Sequence, residues 1–130
     1  MELPQELKEV LDSRAFAHVA TIDPDGTPQV SVMWMLRDGD RILLNTAEGR
    51  RKWRNLSRDP RLGISISPLD RPYVNFSIQG RVVDARTSDG RAVIDAMSSK
   101  YRGVDEYQGM RPGMVRVTFE VEVTRVARYP

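Results

Sequence analysis

Residues 115–124, VRVTFEVEVT, constrain this chain more than any other stretch. Val115, Val117, Phe119, Val121 and Val123 alternate strictly with Arg116, Thr118, Glu120, Glu122 and Thr124. A period of two over ten residues fits only a strand with one apolar and one polar face. Such a strand cannot bury its apolar face alone, so partner strands must lie elsewhere in the chain.

They are found by the same period. Arg14 to Ile22 places Phe16, His18, Ala20 and Ile22 on one face, and Asp23-Pro24-Asp25-Gly26-Thr27-Pro28 turns the chain back. Gln29 to Leu36 follows, with Val30, Val32, Trp34 and Leu36 on one side and Ser31, Met33 and Met35 on the other. Both sides are largely apolar, which predicts a strand covered on both faces. Arg37-Asp38-Gly39-Asp40 is a hairpin turn into Arg41–Asn45. Arg61–Ser67 and Tyr73–Ala85 complete a set of six strands. Gly80 interrupts the long Tyr73–Ala85 strand and predicts a bulge of the sort that curves a sheet.

Three short helices separate these strands. Leu3, Leu7, Val10 and Leu11 recur at helical spacing within Glu2–Ser13. Thr46 is the candidate cap of a basic helix that Asp59-Pro60 ends, with Trp53 and Leu56 facing inward. Ser88 is the candidate cap of a helix to Arg102, with Val93, Ala96, Met97 and Tyr101 on one stripe. The expected fold is mostly β (α+β), a six-stranded antiparallel split β-barrel with short flanking helices, in a single domain over residues 1–130.

Composition excludes several classes of chemistry. With no cysteine there is no thiol nucleophile, disulfide or Cys-based metal site, and the lone His18 removes His-rich zinc sets. His18 lies in an apolar strand and is read as structural. The carboxylates are dispersed, with no pair spaced for general acid–base work. Neither GxxxxGK[ST] nor GxGxxG occurs. No catalytic side chain and no metal site are therefore expected; if the protein is an enzyme, a cofactor carries the chemistry. The acidic, polar start and the lack of a long apolar run lead us to expect no signal peptide, no membrane span and a cytoplasmic location.

Charge is concentrated in one place. Between Glu48 and Arg61, six basic residues stand against two acids, while the remaining 14 basic and 16 acidic residues leave the rest slightly negative. A short local cluster argues against a nucleic-acid-binding surface. Two readings of TAEGRRKWRNL (46–56) stay open on the residues alone. One is a solvated basic face. The other is a seat for a phosphate, made by Arg50 and Lys52 at a helix start, with Gly49 allowing close approach. Ser31, Met33 and Met35, beside Asn45 and Thr46, could form the floor for a ring system.

The order AFAHVATIDPDGTPQVSVMWM, RILLNTAEGRRKWRNLSRDPRLGISI, VNFSIQGRVVD resembles the flavin-binding split β-barrel proteins related to pyridoxamine 5′-phosphate oxidase. The most specific part is N-T-x-x-G-R-x-K-x-R-N-L at Asn45–Leu56 followed by Asp59-Pro60-Arg61. This form of the motif looks most like the actinobacterial branch that uses the deazaflavin coenzyme F420. The resemblance implies that Arg50 and Lys52 bind phosphate, with Arg54 and Asn55 adjacent. It implies that Ser31, Val32, Met33 and Trp34 line the ring and that Asn45 and Thr46 pass under the ribityl chain. It further implies a homodimer with cofactor sites at the interface, to which Asn75, Ser77, Tyr101, Tyr107 or Met110 of a second copy could contribute. The segment whose Arg and His grasp pyridoxamine phosphate in the true oxidase has no counterpart before Tyr129-Pro130, so that activity is not expected. The expected function is hydride transfer from reduced F420 to an electron-poor acceptor such as a quinone, enone, unsaturated lactone or nitroaromatic. The alternatives are an FMN-binding oxidoreductase and a non-catalytic flavin or deazaflavin carrier.

Overall fold

The computed structural model describes residues 1–130. In chain order the elements are α1 (Gln5–Asp12), β1 (Ala17–Ile22), β2 (Pro28–Met33), β3 (Leu36–Asp38), β4 (Arg41–Ala47), α2 (Arg51–Arg58), β5 (Arg61–Ile66), β6 (Asn75–Arg86), α3 (Gly90–Arg102) and β7 (Arg116–Tyr129). All strand pairs are antiparallel, in the order β2-β1-β5-β6-β7-β4-β3.

Seven strands replace the six expected, because the stretch read as one strand over Gln29–Leu36 is two. It breaks at Trp34-Met35, and β2 and β3 lie at opposite edges of the sheet. Two residues thus bridge the two edges, so the sheet must curl until those edges approach. No ladder joins them, and the sheet stays open along this seam. The seam also explains why β2 is not covered on both faces. As an edge strand it leaves Val30 and Val32 58% and 53% exposed, while Met35, just past the break, is fully buried.

Curling is helped by two irregularities between β6 and β7. Gln79 pairs with Arg125 but Gly80 pairs with Val123, so Thr124 is the extra residue; further on, Val83 is extra between Val82 and Asp84. At Gly80 a Cβ would lie 2.8 Å from the Glu122 carbonyl oxygen and 2.9 Å from Val121 Cγ1. The bulge that Gly80 signals in the sequence is therefore a place where two backbones meet too closely for a side chain.

Inside the curl, Val19, Leu44, Ile64, Ile66, Phe76, Ile78, Phe119 and Val121 form the core, and α1 closes one end with Leu7 and Leu11 fully buried. Truncating a ring such as Phe76 to alanine costs about 3–5 kcal/mol in sites of this kind. The alternation of β1 runs the other way from Phe16 and His18. Ala17, Val19 and Thr21 point inward, while Phe16 and His18 face out.

The third helix builds a second, smaller core on the outer face of β4 and β7. Val93, Ile94 and Met97 pack there against Trp34, Leu36 and Tyr107. The helix begins at Gly90 after Asp89 and not at Ser88, and Ile94 and Ser98 take the place of Ala96, which is exposed. A Cβ at Gly90 would lie 2.0 Å from the Arg116 carbonyl oxygen. Glycine there lets the helix start rest on the β7 backbone. As a result the polar side of β7 is solvated only further along the strand: Arg116 and Thr118 are buried under α3.

Candidate functional site

Past the end of the short β3, the seam opens into a cleft of about 390 Å³ between β2 and β4. Its position follows from the fold: β2 ends at Met33, the chain crosses at Trp34, and α2 and α3 stand on either side. The basic stretch reaches this cleft through the end of β4. Thr46 lies within β4 and does not cap the helix; Gly49, at φ 89°, turns the chain, and Arg50 is the N-cap residue of α2. Leu56 and the partly buried Trp53 tie the helix to the core, as their spacing predicts.

The basic side chains of this stretch then separate by role. Arg51 pairs with Asp23, and Asn55 Nδ2 donates to Asp23 Oδ1 at 2.9 Å and to Thr21 Oγ1 at 3.1 Å. These donors, Arg51 first, hold the Asp23 carboxyl below the usual carboxylate range. Arg54 Nη1 donates to the Gly49 carbonyl at 2.6 Å, and Arg58 donates to the Ile22 carbonyl. The Asp23 and Ile22 contacts fasten α2 to the β1–β2 turn, while the Arg54 bond closes on the segment just before the helix.

Lys52 goes the other way, into the cleft wall. Its Nζ donates to the Val19 carbonyl at 3.0 Å and to Gln29 Oε1 at 2.7 Å, leaving one N–H unassigned to a protein partner. Burial, reinforced by the like charge of Arg51, pushes this ammonium down to about 8. Across the cleft, Arg116 Nε donates to Asn45 Oδ1 at 2.8 Å, and Asn45 in turn donates to the Gly90 carbonyl at 2.8 Å. The Arg116 guanidinium lies 5.2 Å from the centroid of the Tyr107 ring. Burial pulls Arg116 below the ordinary guanidinium value, and Arg50 adds to that. Lys52 and Arg116, each 6% exposed, are the two buried charged residues of the chain, and neither forms an ion pair with a carboxylate. Together they leave positive charge at the cleft wall that no carboxylate of this chain pairs with.

Half of the lining, Val32, Met33, Trp34, Ile94, Met97 and Tyr107, is apolar or aromatic. Trp34 stacks on Tyr101 with centroids 5.5 Å apart and planes 5° from parallel, and it meets Tyr107 edge-on at 6.2 Å. Tyr101 is itself fixed, its hydroxyl donating to the Ala15 carbonyl at 2.9 Å. The indole is thus held as a rigid wall before any ligand enters.

Of the residues singled out from the sequence, the cleft brings together Val32, Met33 and Trp34 from the seam, Asn45 and Thr46 from β4, and Arg50 and Lys52 from α2. Ser31 lies on the exposed β2 edge outside it. Arg54 and Asn55 line a neighbouring polar groove with Asp23 and Arg58. Asn75 is on β6, donating to Ser65 Oγ at 2.8 Å and to Ser67 Oγ at 3.2 Å, and does not reach the cleft of its own chain. Arg51, Arg116, Ile94 and Met97 also line the cleft and were not marked by the sequence. Arg116 carries no local signal that separates it from Glu120 and Glu122 on the same face of the strand. No group of three or more His, Cys, Asp or Glu side chains could hold a metal ion, and no helix is long and apolar enough to cross a membrane.

Comparison with known proteins bears on the fold and the family. The family model for pyridoxamine 5′-phosphate oxidase matches residues 3–129. Among solved structures, an F420 reductase shares 28% identity at a TM-score of 0.83, with 96% of this chain and 98% of that one covered. The conserved hypothetical protein Rv2991 from Mycobacterium tuberculosis shares the fold at 22% identity and a TM-score of 0.75, covering 98% of this chain and 84% of that one. HupZ from Group A Streptococcus does so at 20% identity and a TM-score of 0.66, covering 97% and 93%. The match over nearly the whole length places the chain in the pyridoxamine 5′-phosphate oxidase family.

Proposed function

We propose that this chain is an oxidoreductase that binds coenzyme F420 in the seam cleft and uses it to reduce an electron-poor small molecule. The observation that carries this reading is the make-up of the cleft: a fixed aromatic and thioether wall at Trp34 and Met33, beside cations that have no acid partner. That donor set fits a ligand with a flat ring and a phosphate tail. Arg50 and Lys52 would take the phosphate, Trp34, Met33 and Val32 the ring, and Asn45 and Thr46 the chain between. The 28% identical F420 reductase supports F420 over FMN, which has the same ring-plus-phosphate plan.

When bound and reduced, such a coenzyme supplies a hydride for transfer to a quinone, enone, unsaturated lactone or nitroaromatic. The protein's share is binding, orientation and exclusion of water. No carboxylate or histidine of this chain lines the cleft, which supports solvent as the source of the proton that balances the hydride. A homodimer belongs to this reading. Phe16, Val30 and Val32 present apolar surface on the outer side of β1–β2, next to the cleft, where a second copy would cover it and complete the acceptor pocket.

The test is anaerobic mixing of the protein and reduced F420 with a panel of these acceptors, following oxidation of the coenzyme. Protein-dependent turnover of at least one class is expected. Tight coenzyme binding with no turnover of any class would make the protein a carrier; tight FMN binding with none of F420 would reverse the cofactor assignment.

A further inference from the structure

Arg116 has an environment that a purely structural arginine does not need. It is buried, on β7, and its Nε is anchored by Asn45, which is fixed in turn by the carbonyl of Gly90 at the start of α3. Its Nη1 finds only the Met114 sulfur, at 3.9 Å, a weak acceptor. The guanidinium lies over the Tyr107 ring and borders the cleft. Nine other arginines form ion pairs with acids on their own chain; Arg116, the most buried, does not. A planar fork anchored at Nε, without a carboxylate partner and bordering an open cleft, can receive an oxyanion.

We infer that Arg116, positioned by Asn45, is a second oxyanion contact of this cleft, set on β7 and separate from the Arg50–Lys52 seat on α2. The oxyanion is a phosphate or carboxylate oxygen of a bound ligand. Its source is either the tail of the cofactor or an acidic group on the acceptor, and only that assignment rests on the proposed function. Binding relieves two costs at once, the buried unpaired charge of Arg116 and its repulsion from Arg50.

The test uses the full chain, with Arg116→Gln, whose amide can still donate to Asn45 Oδ1, and Arg116→Lys, which retains the charge without the fork. Thermal unfolding is followed with and without inorganic phosphate, then with F420, FMN and their dephosphorylated forms. Wild-type protein is expected to gain stability with phosphate. Arg116→Gln is expected to unfold at the same temperature as wild type or higher, and to need at least about tenfold more phosphate for the same gain, the range for losing a charged hydrogen bond. Arg116→Lys should fall between. Loss confined to the phosphorylated cofactors assigns the oxyanion to the tail. Unchanged cofactor affinity with a raised KM for a carboxylate-bearing acceptor, but not its ester, assigns it to the acceptor. Unchanged responses to phosphate, to every cofactor and to both acceptors would overturn the inference. So would an Arg116→Gln protein that is destabilised yet binds phosphate as wild type does, since that is the behaviour of a structural arginine. If wild-type protein binds neither cofactor while Arg116→Gln still loses the phosphate response, the proposed function fails and this inference stands.

Discussion

Arg41, Arg81 and Arg86, on β4 and β6, carry the same charge as Arg50, Lys52 and Arg116 at the cleft, in opposite surroundings. Arg86 meets Asp84, Asp89 and Glu120 at 2.9–3.0 Å, Arg41 meets Glu120 at 3.0 Å, and Arg81 meets Glu122 at 3.3 Å. These acids hold the Arg86 proton more tightly than usual. The cleft cations have no such partners, and burial weakens the hold of Lys52 and Arg116 on their protons. The first group ties β4 and β6 to β7. The second leaves its charge available. Charge counted along the sequence does not distinguish the two; pairing in three dimensions does.

The comparison is broken most severely through the backbone that seats α3. Gly90→Ala forces a Cβ onto the Arg116 carbonyl and displaces the acceptor of Asn45, so stability should fall by roughly 3 kcal/mol, measured by urea unfolding. Because Gly90→Ala keeps every charge, a matching loss of cofactor affinity would show that the geometry of the unpaired group matters as well as its sign. Next in size are the cleft cations themselves. Lys52→Ala or Arg50→Ala should weaken F420 binding by about 1.5–3 kcal/mol, roughly ten- to a hundredfold in Kd by fluorescence titration. Unchanged affinity in both would remove the phosphate seat.

The paired group predicts the reverse pattern. Glu120→Gln removes an acid shared by Arg41 and Arg86, both partly exposed, and should cost about 0.5–1 kcal/mol of stability while leaving cofactor affinity within about twofold. A large loss of binding there would erase the distinction between the two groups.

Titration sharpens it further. Burial holds Lys52 and Lys100 at about 8, below the ordinary lysine value of 10.5. Between these values the unfolded chain binds more protons than the folded one, so stability should rise with pH from about 8 to about 10.5. Cofactor affinity should move oppositely, falling above about pH 8 as the seat loses the Lys52 charge. Unfolding and binding measured across the same pH series check both slopes. Lys52→Met should flatten the binding slope and leave the part of the stability slope that belongs to Lys100.

Much of this fold is written in local pattern. The alternation of β7, the Asp-Pro-Asp-Gly turn and the Gly80 bulge each depend on neighbours in sequence, and each is where the residues place it. The break at Trp34-Met35 is not local. No proline or glycine marks it, and it exists because the curled sheet brings its two edges together. The cleft divides in the same way. Arg50, Lys52 and Asn45 stand out in the motif that carries the family resemblance, Trp34 in the strand segment before it, and the seam gathers them. Arg54 and Asn55 sit in that same motif but are drawn to the carbonyl of Gly49 and to Asp23. Arg116 becomes special only once α3 covers its strand, an arrangement set by Gly90 twenty-six residues before it.

The central claim is that the unpaired cations of the seam cleft hold the phosphate end of a deazaflavin coenzyme. The most direct measurement is equilibrium binding of F420 and of its dephosphorylated chromophore to the wild-type protein, by quenching of their fluorescence. The account predicts micromolar binding of F420 and at least about tenfold weaker binding of the chromophore alone. Equal affinity for the two would contradict it.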